Sequence, residues 1–241
     1  MVSPKTIPVV EVFGPTLQGE GSLAGQRTMF IRTAYCDGAG DQWCTWCDSM
    51  HAVDPKYKSE WKDRTPQEIV TDLRGQSDYC RNVTISGGNP LIHDLTELID
   101  TLHLLGYIIN VETQGTIWKF WINDVDIITV SPKPPSAGKC NLSKLWYFLD
   151  RTVHTKVVLK VVVDPYHGSD YEFARQILSE RPTWYRTPRY LSVVTYPNDS
   201  PEDIIVRYQL LANRVCNDPD MSDVAVLPQL HVLLWGHRKE V

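Results

Sequence analysis

The chain has 241 residues, 42% of them apolar, and a net charge of −5. That length and apolar share suit a single α/β domain spanning residues 1–241. The acidic balance argues against non-specific nucleic-acid binding, which needs a basic surface. No run of about 18 apolar residues predicts a membrane span. The first residues, MVSPKTIPVV, lack the charged and apolar regions of an export signal, so a cytoplasmic protein is expected.

Strand signals begin at 28–34 (TMFIRTA) and recur at 82–86, 107–112, 125–130, 157–163, 190–195 and 224–227. They are rich in Val and Ile, as buried parallel strands are. Helix signals fall between several of them. Thr65-Pro66-Gln67-Glu68 is a capping box with Pro at the first helical position. Asp94 and Glu97 open a second helix that stops at Gly106. A third runs from Ser169 to about Glu180, and Ser200-Pro201-Glu202-Asp203 starts a fourth that reaches about Cys216. Strand–helix repetition without linkers predicts one parallel sheet, open or curled into a barrel. Cys36, Gly87-Gly88-Asn89-Pro90, Glu112-Thr113-Gln114-Gly115, Ser131-Pro132-Lys133, Asp164 and Tyr196-Pro197-Asn198-Asp199 each follow a strand. In a parallel barrel those carboxyl ends share the rim that carries active sites.

Three of the six cysteines crowd together as Cys36-x7-Cys44-x2-Cys47, which favours metal binding in a reducing compartment over disulfides. Three thiolates leave one iron of a four-iron cluster open. With His51 they equally match a closed zinc site of Cys3His type, and three unligated buried thiols are the bland alternative. The Gly87-Gly88 turn one unit later tips the balance towards a ligand site, because a backbone without Cβ lets a ligand come close. Cys80, Cys140 and Cys216 carry no ligand spacing and read as plain thiols.

Six segments lie in order along nearly the whole chain: FGPTLQGEGSLAGQRTMFIRTAYC (13–36), WCDS (46–49), SGGNP (86–90), ETQGT (112–116), SPKPP (131–135) and PQLHVLLWG (228–236). Together they resemble the radical S-adenosylmethionine enzymes and, among these, the 7-carboxy-7-deazaguanine synthases. TLQGEG and SPKPP are far more specific than the cysteines. The resemblance implies an α/β fold, a single-domain incomplete (β/α) barrel of the radical S-adenosylmethionine type. Within it the cluster loop would lie at about 35–50, and a tail at about 224–241 would close the site. It implies a lyase reaction of queuosine-type 7-deazapurine biosynthesis, the ring contraction of 6-carboxy-5,6,7,8-tetrahydropterin to 7-carboxy-7-deazaguanine and ammonia. It also implies a homodimer, and an electron donor such as flavodoxin or ferredoxin. Two departures stand out. The first cysteine gap is enlarged from the common C-x3-C-x2-C, and Asn89 and Ser49 replace the Glu and Thr of many relatives.

Residue roles follow from the resemblance. Cys36, Cys44 and Cys47 would hold a [4Fe-4S] cluster, and Ser49 would contact Mg2+. Leu17, Gln18, Gly19, Arg32 and Ser86 would bind the pterin; for Arg32 the chemistry is a guanidinium paired with the substrate carboxylate. Gly88, Ser131, Pro132, Lys133, Tyr196, Pro197, Asn198 and Asp199 would bind S-adenosylmethionine. The plainer alternatives are a turn for Leu17-Gln18-Gly19, a strand-end turn for Ser86, a stiff loop with a solvated Lys133, and a hydroxyl cap for Ser49. The roles of Glu112, Gln114 and His231 stay open. Another radical enzyme, such as a glycyl-radical activase, or a non-catalytic zinc-binding module would share the cysteines but leave TLQGEG unexplained.

Overall fold

The computed structural model describes residues 5–152, 156–179, 187–238 and 240. Among them nine strands form one sheet: β1 (Ile7–Leu17), β2 (Arg27–Thr33), β3 (Lys62–Arg64), β4 (Asn82–Gly87), β5 (Ile108–Thr113), β6 (Ile127–Val130), β7 (Lys156–Val163), β8 (Arg189–Val193) and β9 (Val224–Leu227). Their order is β3-β1-β2-β4-β5-β6-β7-β8-β9. From β2 to β9 all neighbours are parallel, whereas β1 runs antiparallel to both β2 and β3. The sheet keeps two free edges, β3 and β9, so the expected barrel is incomplete.

The helices are α1 (Met50–Val53), α2 (Pro66–Gln76), α3 (Thr96–Leu104), α4 (Leu142–Arg151), α5 (Gly168–Ser179), α6 (Pro201–Cys216) and α7 (Leu230–Trp235). Both capping boxes form. Thr65 accepts from Glu68 N while Glu68 accepts from the Thr65 backbone, and Ser200 and Asp203 do the same for α6. Glu180, the expected end of α5, lies outside the described residues.

Several expectations are corrected. The eleven-residue β1 carries no clear strand signal because Pro8, Gly14 and Pro15 interrupt it. Its pairing with β2 accordingly shifts register between Val9 and Glu11 and again between Phe13 and Thr16. Helix α4 follows the proline-rich loop directly and starts where the Asn141 side chain accepts from Lys144 N. Asp94 lies before α3 rather than inside it, accepting from the Thr96 N–H at 3.2 Å. The strand expected at 190–195 ends at Val193, leaving Val194 and Thr195 buried beyond it.

Alternation along the strands sorts two buried layers. Met29, Ile31, Val83, Ile85, Ile109, Val111, Ile128, Val130, Leu159, Val161, Leu191 and Val193 face the helices and form the apolar core. Each such side chain taken from water contributes about 1.5–3 kcal/mol. The residues between them point the other way. Register sets Arg32 opposite Ser86, Thr84 opposite Asn110, Glu112 opposite Thr129, Lys160 opposite Tyr190 and Val162 opposite Ser192. Thr84, Ser86, Asn110, Thr129, Lys160 and Ser192 are all buried, so this second face is the barrel interior, and it is polar.

Candidate functional site

The interior is closed from one side by the chain after β1. The Gln18 N–H donates to Gln26 O and Gly25 N–H returns to Gln18 O, folding a tight loop. A Cβ built on Gly21 would lie 3.8 Å from Thr129 and 3.9 Å from Val158, on strands across the barrel. The Gln18 amide donates to Glu112 at 3.0 Å, and its oxygen accepts from Gly19 N at 2.7 Å. Gln18 is therefore built into the interior wall and is no ordinary surface turn. Leu17 ends β1 at its partner Arg27.

Next to Gln18 lies a cluster that sequence reasoning did not single out. The buried Lys160 ammonium pairs with Glu20, whose other oxygen accepts from the Gln229 amide at 3.0 Å. Gln229 in turn accepts from the Thr195 hydroxyl. Burial alone would raise the Glu20 carboxyl, but the charges of Lys160 and His231 and the Lys160 hydrogen bond together outweigh it, and the net shift is downward. Burial raises Glu112, which therefore holds its proton above the ordinary carboxylate range. The signal for Lys160 was available: one cation inside the run VVLKVVV must point away from the apolar core.

The tail reaches this cluster. Leu230 N–H donates to Gly19 O at 3.0 Å, and His231 Nδ1 lies 1.9 Å from where a Gly19 Cβ would be. Only glycine at 19 admits that imidazole, and His231 contributes to lowering both Glu20 and Asp48. The histidine whose role the sequence left open is thus turned into the site.

Towards the cysteines, Arg32 Nε donates to Glu11, and its Nη1 donates to Ser49 Oγ at 3.0 Å. Ser49 Oγ donates on to Asp48 at 2.8 Å and makes no bond to the helix that follows, so it is not a capping hydroxyl. Glu11 sits on the unforeseen β1 opposite Arg32, which explains why it was missed. Ser86 Oγ, across the register from Arg32, is buried without a hydrogen-bond partner. An unpaired buried hydroxyl costs free energy unless a ligand completes it.

Cys36, Cys44 and Cys47 are half-buried free thiols on the loop after β2. Burial pushes Cys36 up to about 11 and Cys47 up to about 12, with carboxylates beside them adding to the shift; Lys133 acts against it at all three thiols. Lys133, half-buried, stands over the Trp46 ring at 5.8 Å, near enough for its charge to act on all three thiols. The donor set fits an electropositive iron–sulfur centre, which would ionise these thiols. Among the described residues no His, Cys, Asp or Glu groups close round a single ion, and His51 lies 3.6 Å from Glu11, not in a Cys3His set. Gly88 is held tightly here: a Cβ there would meet Tyr35 O at 2.0 Å and Cys36 Cβ at 2.9 Å.

The loop carrying Ser131, Pro132 and Lys133 packs on the cysteine loop. Ser131 N–H donates to Thr113 O at 2.7 Å, Thr45 N–H to Ala137 O at 3.2 Å, and Trp46 Nε1 to Ser136 Oγ at 3.0 Å. Ser136 is fixed in turn by the fully buried Asp170. Tyr196 donates its hydroxyl to Asp164 at 2.8 Å, and Pro197 and Asn198 stand exposed on the rim. Asp199 accepts from Tyr196 N and pairs with Arg207 of α6, so its carboxylate is engaged within the protein.

Comparison with known proteins agrees with this arrangement. The family described as "4Fe-4S single cluster domain" matches residues 17–131. The 7-carboxy-7-deazaguanine synthase of Bacillus cereus is 38% identical over 244 residues, covering 98% of this chain and 99% of that protein. The Bacillus subtilis enzyme of the same name is 38% identical over 250 residues, with 98% and 99% covered. The crystal structure of QueE from Escherichia coli superposes with a TM-score of 0.67 at 23% identity, covering 94% of this chain and 95% of that one, which supports the fold. With curated relatives at this identity over nearly its whole length, the chain belongs to the 7-carboxy-7-deazaguanine synthase family.

Proposed function

We propose that this chain converts 6-carboxy-5,6,7,8-tetrahydropterin to 7-carboxy-7-deazaguanine and ammonia as a radical S-adenosylmethionine lyase. The observation that carries the reading is the junction of two features: a rim bearing three thiols and a glycine turn, and a buried polar interior directly beneath it. Bound at Cys36, Cys44 and Cys47, the cluster together with S-adenosylmethionine supplies the hydrogen-abstracting radical, and the protein's task is to orient and shield.

The substrate residues are Leu17, Gln18, Gly19, Arg32 and Ser86. Glu11 engages Nε of Arg32 and Ser49 engages Nη1, which holds the guanidinium in place and leaves Nη2 for a substrate carboxylate. Ser86 offers the unpaired hydroxyl. The Gly19 peptide allows close approach to a flat ring, and Gln18, fixed by Glu112, presents an amide edge. The tail from Val224 onwards covers this pocket through Gln229 and His231 and keeps water out. Gly88, Ser131, Pro132, Lys133, Tyr196, Pro197, Asn198 and Asp199 form the cofactor side of the rim. Mg2+ binds beside Ser49 with the substrate present, supported by the hydroxyl and the Asp48 carboxylate next to it.

The working form is a homodimer that takes electrons from a flavodoxin or ferredoxin and works in the cytoplasm, away from nucleic acid and membrane. Exposed apolar side chains such as Leu104, Ile108 and Phe120 support self-association, and no helix among the described residues is long and apolar enough to cross a membrane. The deciding experiment is an anaerobic assay with reconstituted cluster, S-adenosylmethionine and the carboxytetrahydropterin. Formation of 7-carboxy-7-deazaguanine and ammonia is expected, and turnover of S-adenosylmethionine without either product would refute the substrate assignment. Titrating Mg2+ into wild type and Ser49→Ala tests the metal: equal wild-type turnover in excess chelator would remove it.

A further inference from the structure

We propose that Asp37 is the positioning residue of the cluster loop, pinning Cys36 to the ends of β4 and β5; the proposal rests on the cluster reading above. Three side chains from those strand ends converge on this carboxylate. The Asn89 amide donates to Oδ1 at 2.7 Å, the Gln114 amide to the same oxygen at 2.6 Å, and the Thr116 hydroxyl to Oδ2 at 2.5 Å. The direction of the Asn89 amide is set from behind, because its oxygen accepts from the Thr113 hydroxyl at 2.9 Å. Three donors aimed at one side chain suit a group that offers two oxygens and no N–H; an amide at position 37 would turn its NH2 towards at least one of them.

The clamp reaches Cys36 on both sides. Gln114 also donates to Gly38 O at 2.9 Å, and the Gly38 N–H donates to Cys36 Sγ at 3.4 Å. Before Cys36, the Asn89 N–H donates to Tyr35 O at 2.8 Å while Gly88 packs against Cys36 itself. Cys44 and Cys47 are held by a different wall, through Thr45 and Trp46 on the Ser136–Ala137 segment. The seven-residue gap therefore joins two separately anchored halves. Asp37 anchors the first half and, with Gln114, orients the N–H that reaches the Cys36 sulfur. Hydrogen bonds to ligand sulfurs set cluster potentials, and the groups behind the ligands set how firmly metal is held.

The arrangement predicts an exchange experiment. In Asp37→Asn two amide NH2 groups face each other, and in Asn89→Asp two carboxylates do. In the double variant the amide and the carboxylate have changed places and the pair between 37 and 89 is restored, although the new amide at 37 still meets the Gln114 NH2, so the rescue is partial. The four proteins are reconstituted anaerobically and scored for iron and sulfide, for iron loss to a chelator, and for the electron paramagnetic resonance of the reduced cluster with and without S-adenosylmethionine. Each single variant is expected to bind iron but release it about tenfold faster, with an altered spectrum, and the double variant to recover part of that loss, to within about threefold of wild type. Singles indistinguishable from wild type, or a double no better than the worse single, overturn the proposal. Should a single variant not fold, Thr116→Val removes one donor at nearly constant volume, and unchanged iron release and spectrum there overturn it as well. A wild type that takes up no iron overturns the cluster reading, and this proposal with it.

Discussion

The two faces of the sheet are both largely shielded from solvent and chemically opposite. The helix-covered face carries Ile31, Ile85, Val111 and Val130, while one residue along each strand the interior face carries Arg32, Ser86, Glu112 and Ser131. The first face is satisfied within the protein. The second holds polar groups that depend on charge partners, and two hydroxyls, Ser86 Oγ and Ser192 Oγ, that have none. The lesson is that a strand period of two lets neighbouring residues in sequence serve stability and chemistry separately.

The sharpest break in this comparison is expected at the cysteines. Cys44→Ala should abolish the visible cluster band, bound iron and activity while leaving the circular dichroism unchanged, since its loop lies outside the apolar core. Cys80→Ala, fully buried in the core, should keep iron and activity but lower stability by about 1 kcal/mol. Full cluster content in Cys44→Ala would sink the assignment.

Adjacent residues of β4 give the next contrast. Ile85→Ala should cost about 2–5 kcal/mol in denaturant unfolding. Ser86→Ala removes an unpaired buried hydroxyl and should leave stability unchanged or raised, with a higher KM for the pterin. A large stability loss in Ser86→Ala would mean the two faces are not separable.

Arg32→Lys keeps the charge but loses the fork, so the substrate KM should rise about tenfold while cofactor binding holds. An unchanged KM and kcat would remove Arg32 from the substrate site.

The smallest effect concerns acid. Burial alone would raise Glu11 and Asp48, yet Arg32, with His51 at Glu11 and Ser49 at Asp48, brings both below their ordinary values. A carboxyl lowered in the folded state adds stability that is present above its unfolded value and is lost as pH falls through the folded one. Melting temperature should therefore decline as pH drops below about 4.5, and Glu11→Gln should flatten that slope. Glu112, raised by burial, works in the opposite direction, losing stability as pH rises above the same region. An acid slope as steep in Glu11→Gln as in wild type would show that the pair contributes nothing.

By itself the sequence determined the seven parallel strands, the capped starts of α2 and α6, and the rim motifs, because alternation, capping boxes and glycine turns are local rules. It also determined the family, through segments such as TLQGEG and SPKPP. Helix α4 was equally local and went unread behind the proline loop. Only the tertiary structure decided the rest. Strand β1 forms despite its prolines because β2 and β3 pair with it on either side. Glu20, Lys160 and Gln229 are 140 or more residues apart at the extremes and meet only when the sheet curls and the tail folds back. Nothing in the enlarged cysteine gap marks out Asp37; Asn89, Gln114 and Thr116 are brought to it from two other strand ends only by the fold. Charges that must be buried together leave no short-range pattern, since what stabilises each is a partner that the fold supplies.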